Sequence, residues 1–114
     1  MTRSILVLAT LSVLCAGPAV AGQPRRVILL DGTWDIAADS MDKVPDRFEH
    51  RAAVPGLVDM ATPALAEVGI KSKLREAFWY RRTFSVEGPI PAVAVLKVHK
   101  AMFGTRVILN GTPL

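Results

Sequence analysis

The stretch Phe78 to Val86 alternates strictly. Phe78, Tyr80, Phe84 and Val86 fall on one face, and Trp79, Arg81, Thr83 and Ser85 fall on the other. Successive side chains of an extended backbone point to opposite sides, so this segment predicts a strand with one buried face and one face that is at least partly wet. Arg82 is the exception, because it falls on the apolar side. A guanidinium there is tolerated only when it is paired and hydrogen-bonded, and Asp31 and Asp35 are the candidate partners.

The rest of the chain reads the same way, with short apolar runs separated by turn-rich segments in the pattern of an all-β domain. Val27 to Leu30 leads into a turn at Asp31-Gly32, and Trp34 and Ile36 then share a face. Residues 37–51 are polar and read as a surface loop. Ala52-Ala53-Val54 is a short strand ended by Pro55-Gly56. Pro63 to Val68 is expected to make one or two helical turns, with Thr62 as N-cap, Pro63 at the first helical position and Gly69 as the stop. Ile70 to Glu76 is charged loop. After Glu87-Gly88-Pro89, Val93 to His99 is expected to form a strand with Ala94, Leu96 and Val98 inward. Thr105 to Leu109 runs into Asn110-Gly111, a strong signal for a type I′ hairpin, since Asn tolerates positive φ and Gly adopts it freely. The returning strand is expected beyond Leu114, which would make this chain the front part of something longer.

The N-terminus is a secretory leader in form. Arg3 precedes the apolar stretch Ile5 to Ala16, and Ala19-Val20-Ala21 supplies an A-x-A cleavage site with Gly22 as the first mature residue. The apolar stretch is short for a membrane span, which needs about 20 residues, and Thr10 and Ser12 interrupt it. Leu14 before Cys15 is too bulky for a lipoprotein signal. Residues 1–21 are therefore expected to be removed, and the product to be secreted or periplasmic with no membrane attachment. Loss of the leader removes Arg3 and no acid, so the net charge of +4 becomes +3. The only cysteine leaves with it, so the remaining domain must rely on its apolar core.

The basic residues do not form a nucleic-acid footprint. Lys71, Lys73 and Arg75, then Arg81-Arg82, then Lys97, His99 and Lys100 are three groups interleaved with acidic or apolar residues. Each reads as a solvated strand face or loop. A nucleic-acid partner is not expected.

Four blocks carry a resemblance. They are Leu30-Asp31-Gly32-Thr33-Trp34, Val54-Pro55-Gly56, Phe78-Trp79-Tyr80-Arg81-Arg82-Thr83-Phe84, and Leu96-Lys97-Val98 through Phe103-Gly104-Thr105-Arg106-Val107-Ile108-Leu109-Asn110-Gly111. In order and spacing they resemble the N-terminal domain of family 2 glycoside hydrolases, the family of β-galactosidases, β-glucuronidases and β-mannosidases. The resemblance covers nearly all of residues 27–114. It implies a jelly-roll β-sandwich similar to galactose-binding domains, ahead of an immunoglobulin-like domain and a catalytic (β/α)₈ barrel. On this reading residues 22–114 are a partial sandwich domain, incomplete at its C-terminus.

Retaining glycosidases need two carboxyl groups about 5–5.5 Å apart. In the resembled family both are glutamates of the barrel, so no residue here inherits a catalytic role. Glu49, Glu67, Glu76 and Glu87 read as surface charge, and His50 and His99 lack a third ligand at a recognisable spacing. No cofactor or metal is expected. Asn110-Gly111-Thr112 matches a glycosylation pattern by chance. For sugar, Trp79 on the outward face is the best stacking platform, with Arg81 beside it; the competing role for Trp79 is packing against a neighbouring domain or loop. A free-standing carbohydrate- or protein-binding module is the alternative function.

Export should leave Gly22 at the N-terminus, and N-terminal sequencing of the exported product checks it. Recovery of the chain from membranes with Met1 intact would replace the leader by an anchor.

Overall fold

In a computed structural model of the chain, the described residues are 22, 25–101 and 104–114. The leader and Ala21 lie outside them; Gly22 is described and exposed. The described residues are mostly β, in two small antiparallel sheets with no α-helix. Strand β1 (Gly32–Asp39) is central, flanked by β2 (His50–Val54) and β3 (Ala77–Arg81). Strands β4 (Ile108–Leu109) and β5 (Thr112–Pro113) form a separate hairpin.

The register fixes which residues share a face. Trp34 pairs with Ala52 and Ile36 with His50 on one side, while Ile36 pairs with Tyr80 and Ala38 with Phe78 on the other. Directly paired residues project to the same side of an antiparallel sheet. One face therefore gathers Trp34, Ile36, Ala52, Phe78 and Tyr80; Phe78 with Tyr80, and Trp34 with Ile36, share a face as their spacing predicts, and the register brings the two pairs together. Ile36 is fully buried there, with Ala52 and Ala61, and Val58 and Leu65 pack against them. Burying one isoleucine contributes about 1.5–3 kcal/mol. Val58 comes from a 3₁₀ turn, Val58–Met60, that follows β2. Trp34 anchors the entry to β1 by donating its indole N–H to the Leu30 carbonyl at 2.7 Å.

Several expectations are corrected. Gly32 is no turn apex but the first residue of β1, with φ +130, a conformation L side chains rarely adopt. Residues 37–39 continue β1, because Ala37, Ala38 and Asp39 find partners in Trp79, Phe78 and Ala77. The polar loop is thus residues 40–49. Pro63 to Val68 is not helical. Thr62 spends its backbone N–H and C=O on Arg51, at 2.8 and 2.9 Å, and so is a bridge residue instead of a cap. Glu67 and Gly69, both at positive φ, make the following turn.

Strand β3 ends at Arg81, short of Val86, where the ladder with β1 reaches Asp35. Arg82 lies on no buried face. It is exposed, and it donates to the Thr33 carbonyl at 2.6 Å, not to Asp31 or Asp35. Its guanidinium rests 3.4 Å from where a Gly32 Cβ would stand. Val93 to His99 forms no strand, although the inward set survives in part: Leu96 and Val98 are about half exposed, whereas Val95 is 80% exposed. The Asn110-Gly111 turn forms, with φ of 50 and 80. Its returning arm is within the chain, since Leu109 pairs with Thr112 and Ile108 with Pro113.

Gly56 admits no side chain, because an added Cβ would meet the Ala53 carbonyl oxygen at 2.4 Å. Gly56→Ala should therefore destabilise the Gly22–Leu114 chain by about 1–3 kcal/mol, the usual cost of overpacking. Leu57→Ala, next door but exposed, should stay within about 0.5 kcal/mol of the parent in the same denaturant titration.

Candidate functional site

The face of the sheet opposite Ile36 carries the polar residues. Asp35 pairs with Arg51 on β2 and with Arg81 on β3, so one carboxylate stands between two guanidinium groups at the same level of three strands. Arg81 Nη2 donates to Asp35 Oδ2 at 3.2 Å, and Arg51 Nε lies 3.6 Å from Oδ1. Arg81 also stacks on Phe48, with its guanidinium carbon 4.1 Å from the ring centre. Attraction between a guanidinium and an aromatic face of this kind contributes about 0.5–1 kcal/mol at an exposed site. Two of Arg81's attractive surfaces, one N–H edge and one planar face, are therefore already engaged by the protein.

Trp79 follows the same face, paired with Ala37 two positions from the Asp35–Arg81 rung. Its indole N–H donates to the Ser40 carbonyl at 2.8 Å. The Glu76 carboxylate accepts the Met41 N–H at 3.0 Å. Arg106 donates to the Met41 carbonyl at 3.2 Å. Trp79 lines an open cleft of about 620 Å³, together with Met41, Val44, Leu96, Val98 and Ile108 among others. Asp42 and Arg106 bring opposite charges to its lining.

Both sequence-derived carbohydrate candidates, Trp79 and Arg81, therefore share one face of β3. Only Trp79 lines the cleft. Its ring is also tied to the 40–49 loop, which is the packing role named as its alternative. Phe48, Arg51 and Arg106 were not among the candidates. Nothing in the sequence announces them, because their positions follow from strand register and from loop contacts across many residues.

The four glutamates are exposed. Glu67 accepts from the Ser72 hydroxyl, and Glu76 holds the Met41 N–H. Arg75 binds the Ala66 and Glu67 carbonyls and covers the Phe78 ring at 4.3 Å, which fixes the loop before β3. His50 Nδ1–H donates to the Pro63 carbonyl at 2.6 Å. Among the described residues no group of three or more His, Cys, Asp or Glu side chains could hold a metal ion. No helix of the described residues is long and apolar enough to cross a membrane. Two groups are shifted. Asp46, bonded to Lys43 at 2.9 Å, holds the ammonium above its usual value, and burial on the apolar face raises the Tyr80 phenol.

No protein-family model matches the chain, and neither a curated protein nor a solved structure matches it.

Replacing Asp35 by Ala leaves Arg51 and Arg81 facing each other across β1 with no anion between them. Both pairs are substantially exposed, so the loss should be no more than about 1 kcal/mol. It should shrink in 1 M salt, where charges are screened within about 3 Å. Denaturation midpoints of parent and variant at low and high salt measure it; a salt-independent loss would assign the effect to packing.

Proposed function

We propose that this chain is the non-catalytic N-terminal part of an exported family 2 glycoside hydrolase, whose complete form hydrolyses O-glycosidic bonds. The observation that carries the reading is the set of four motif blocks in family order. The way they fold supports it. Gly32-Thr33-Trp34, Val54 and Phe78-Trp79-Tyr80-Arg81 fall on three neighbouring strands of one sheet, and Ile108-Leu109-Asn110-Gly111 forms a hairpin. A jelly-roll β-sandwich is the finer architecture this reading expects, with an immunoglobulin-like domain and a barrel following. The leader-like N-terminus supports export to the periplasm or the medium.

The distribution of exposure agrees with a domain that has further strands to receive. Phe84, Val86, Ile90, Val93 and Val95 are all exposed. So many exposed apolar side chains in one segment are what a domain with further strands to cover them would present. The second reading is a free-standing exported module that binds carbohydrate or protein by itself. Trp79 in its cleft favours it, since indole faces stack on the apolar faces of sugar rings.

The frame beyond Leu114 and sugar binding separate the two readings, and hydrolysis tests the non-catalytic assignment they share. Reading the nucleotide sequence past the Leu114 codon tests whether the frame runs on into sandwich and barrel. Purified Gly22–Leu114 should hydrolyse aryl β-galactosides, β-glucuronides and β-mannosides no faster than buffer, because the barrier reduction of a glycosidase needs a paired acid and nucleophile. Joining the downstream frame should restore hydrolysis. Turnover by the short chain that disappears in Glu76→Gln or Glu87→Gln would refute the non-catalytic assignment. Sugar binding by the short chain that is lost in Trp79→Ala would favour the free-standing module.

A further inference from the structure

The backbone corner Asp39 to Met41, at the end of β1, is gripped from several directions. The Asp39 carbonyl accepts the Glu76 N–H at 3.0 Å, and Asp39 Oδ1 accepts the Ser40 N–H at 2.8 Å. The Ser40 carbonyl accepts the Trp79 indole, and the Met41 N–H donates to Glu76. These bonds join the corner to β3 and the residue before it, so the corner moves with the three-stranded sheet. The remaining bond, from Arg106 to the Met41 carbonyl, comes from the segment that leads into the β4–β5 hairpin.

Arg106 leads into β4, and β4 and β5 pair with each other and with no strand of the larger sheet. The cleft is lined by Met41, Val44 and Trp79 from the sheet and its following loop, and by Val107, Ile108 and Leu114 from the hairpin segment. Gly104, at φ +78, stands at the start of that segment, in a conformation that glycine reaches without a steric penalty. We propose that Gly104–Leu114 is a hinged wall over Trp79, and that Arg106 is the strap holding it to the Met41 carbonyl. An exposed hydrogen bond to a carbonyl competes with water, so its net strength is small and both closed and open states are populated. The state of the strap sets the width of the cleft and the access to Trp79. This inference rests on the geometry of the corner and stands whether or not the cleft takes a sugar.

The chain from Gly22 on has no cysteine, so a pair of spin labels can be introduced cleanly at Ala53→Cys on β2 and Thr112→Cys on β5. Pulsed electron resonance distances in Gly22–Leu114 should show one dominant separation. Arg106→Ala should raise the open population about fivefold, the factor for losing one hydrogen bond of ordinary net strength. Arg106→Lys, which keeps a donor, should fall between. Thr105 is itself engaged, so Thr105→Val is the comparison and should move the distances less than Arg106→Ala. Identical distances in parent and Arg106→Ala, or a larger effect from Thr105→Val, would overturn the strap. If Arg106→Ala loses its circular dichroism signal, Arg106→Gln takes its place: it removes the guanidinium bond to the Met41 carbonyl and should broaden the same distances, and an unchanged distribution would count against the strap equally.

Discussion

Strand β1 is the element on which the rest depends, because among the described strands it alone pairs on both edges. Its residues Gly32 to Ile36 meet β2, and Asp35 to Asp39 meet β3. The two ladders overlap only at Asp35 and Ile36, so those two residues join all three strands. They do so on opposite faces: Ile36 is the fully buried centre of the apolar side, and Asp35 bridges Arg51 and Arg81 on the polar side. Hydrophobic burial supplies most of the stability, since exposed ion pairs contribute little. The charge triad instead favours one register. A slip of one residue would turn Ile36 outward and leave Asp35 against the core.

The parts of this arrangement legible in the sequence were those with a local cause. Alternation placed Phe78 with Tyr80 on one face and Trp34 with Ile36 on another strand's face, and Asn110-Gly111 gave a hairpin whose φ values are those a type I′ turn needs. The misreadings share a different cause, which is a partner far away in sequence. Thr62 has the residue type of a helix cap, but Arg51 captures both of its backbone groups. Asp31-Gly32 looks like a turn, but pairing with Val54 draws Gly32 into β1. Arg82 was matched to an acid by charge, yet the nearer acceptor is the Thr33 carbonyl, while Asp35 is already held by two other arginines.

The candidate site divides along the same line. That Trp79 and Arg81 share the wet face of a strand followed from a period of two. That Arg81 lies between Asp35 and Phe48, and that Trp79 is fastened to Ser40, depended on the path of the 40–49 loop, which no local pattern encodes. The two residues therefore differ in what they can offer a ligand. Arg81 has an N–H edge and its planar face committed to the protein, whereas the Trp79 bond uses only the indole N–H edge and leaves its π-face uncommitted by that contact.

An indole held at its edge is suited to stacking. Fixing the ring removes side-chain freedom before a partner arrives, so less entropy is lost on contact. The same fixing would serve equally well if the partner were another part of a larger protein, because close packing against a rigid platform has the same requirement. What distinguishes the two uses is the rest of the lining. A ligand site needs polar groups converging on the cleft, and here Asp42 and Arg106 stand among largely aliphatic residues. Arg106 is tied to Met41 when the cleft is in the form described. With a largely aliphatic lining, the cleft in this form is better matched to apolar packing than to a hydroxyl-rich ring. That physical preference agrees with the proposed role as one part of a larger glycoside hydrolase.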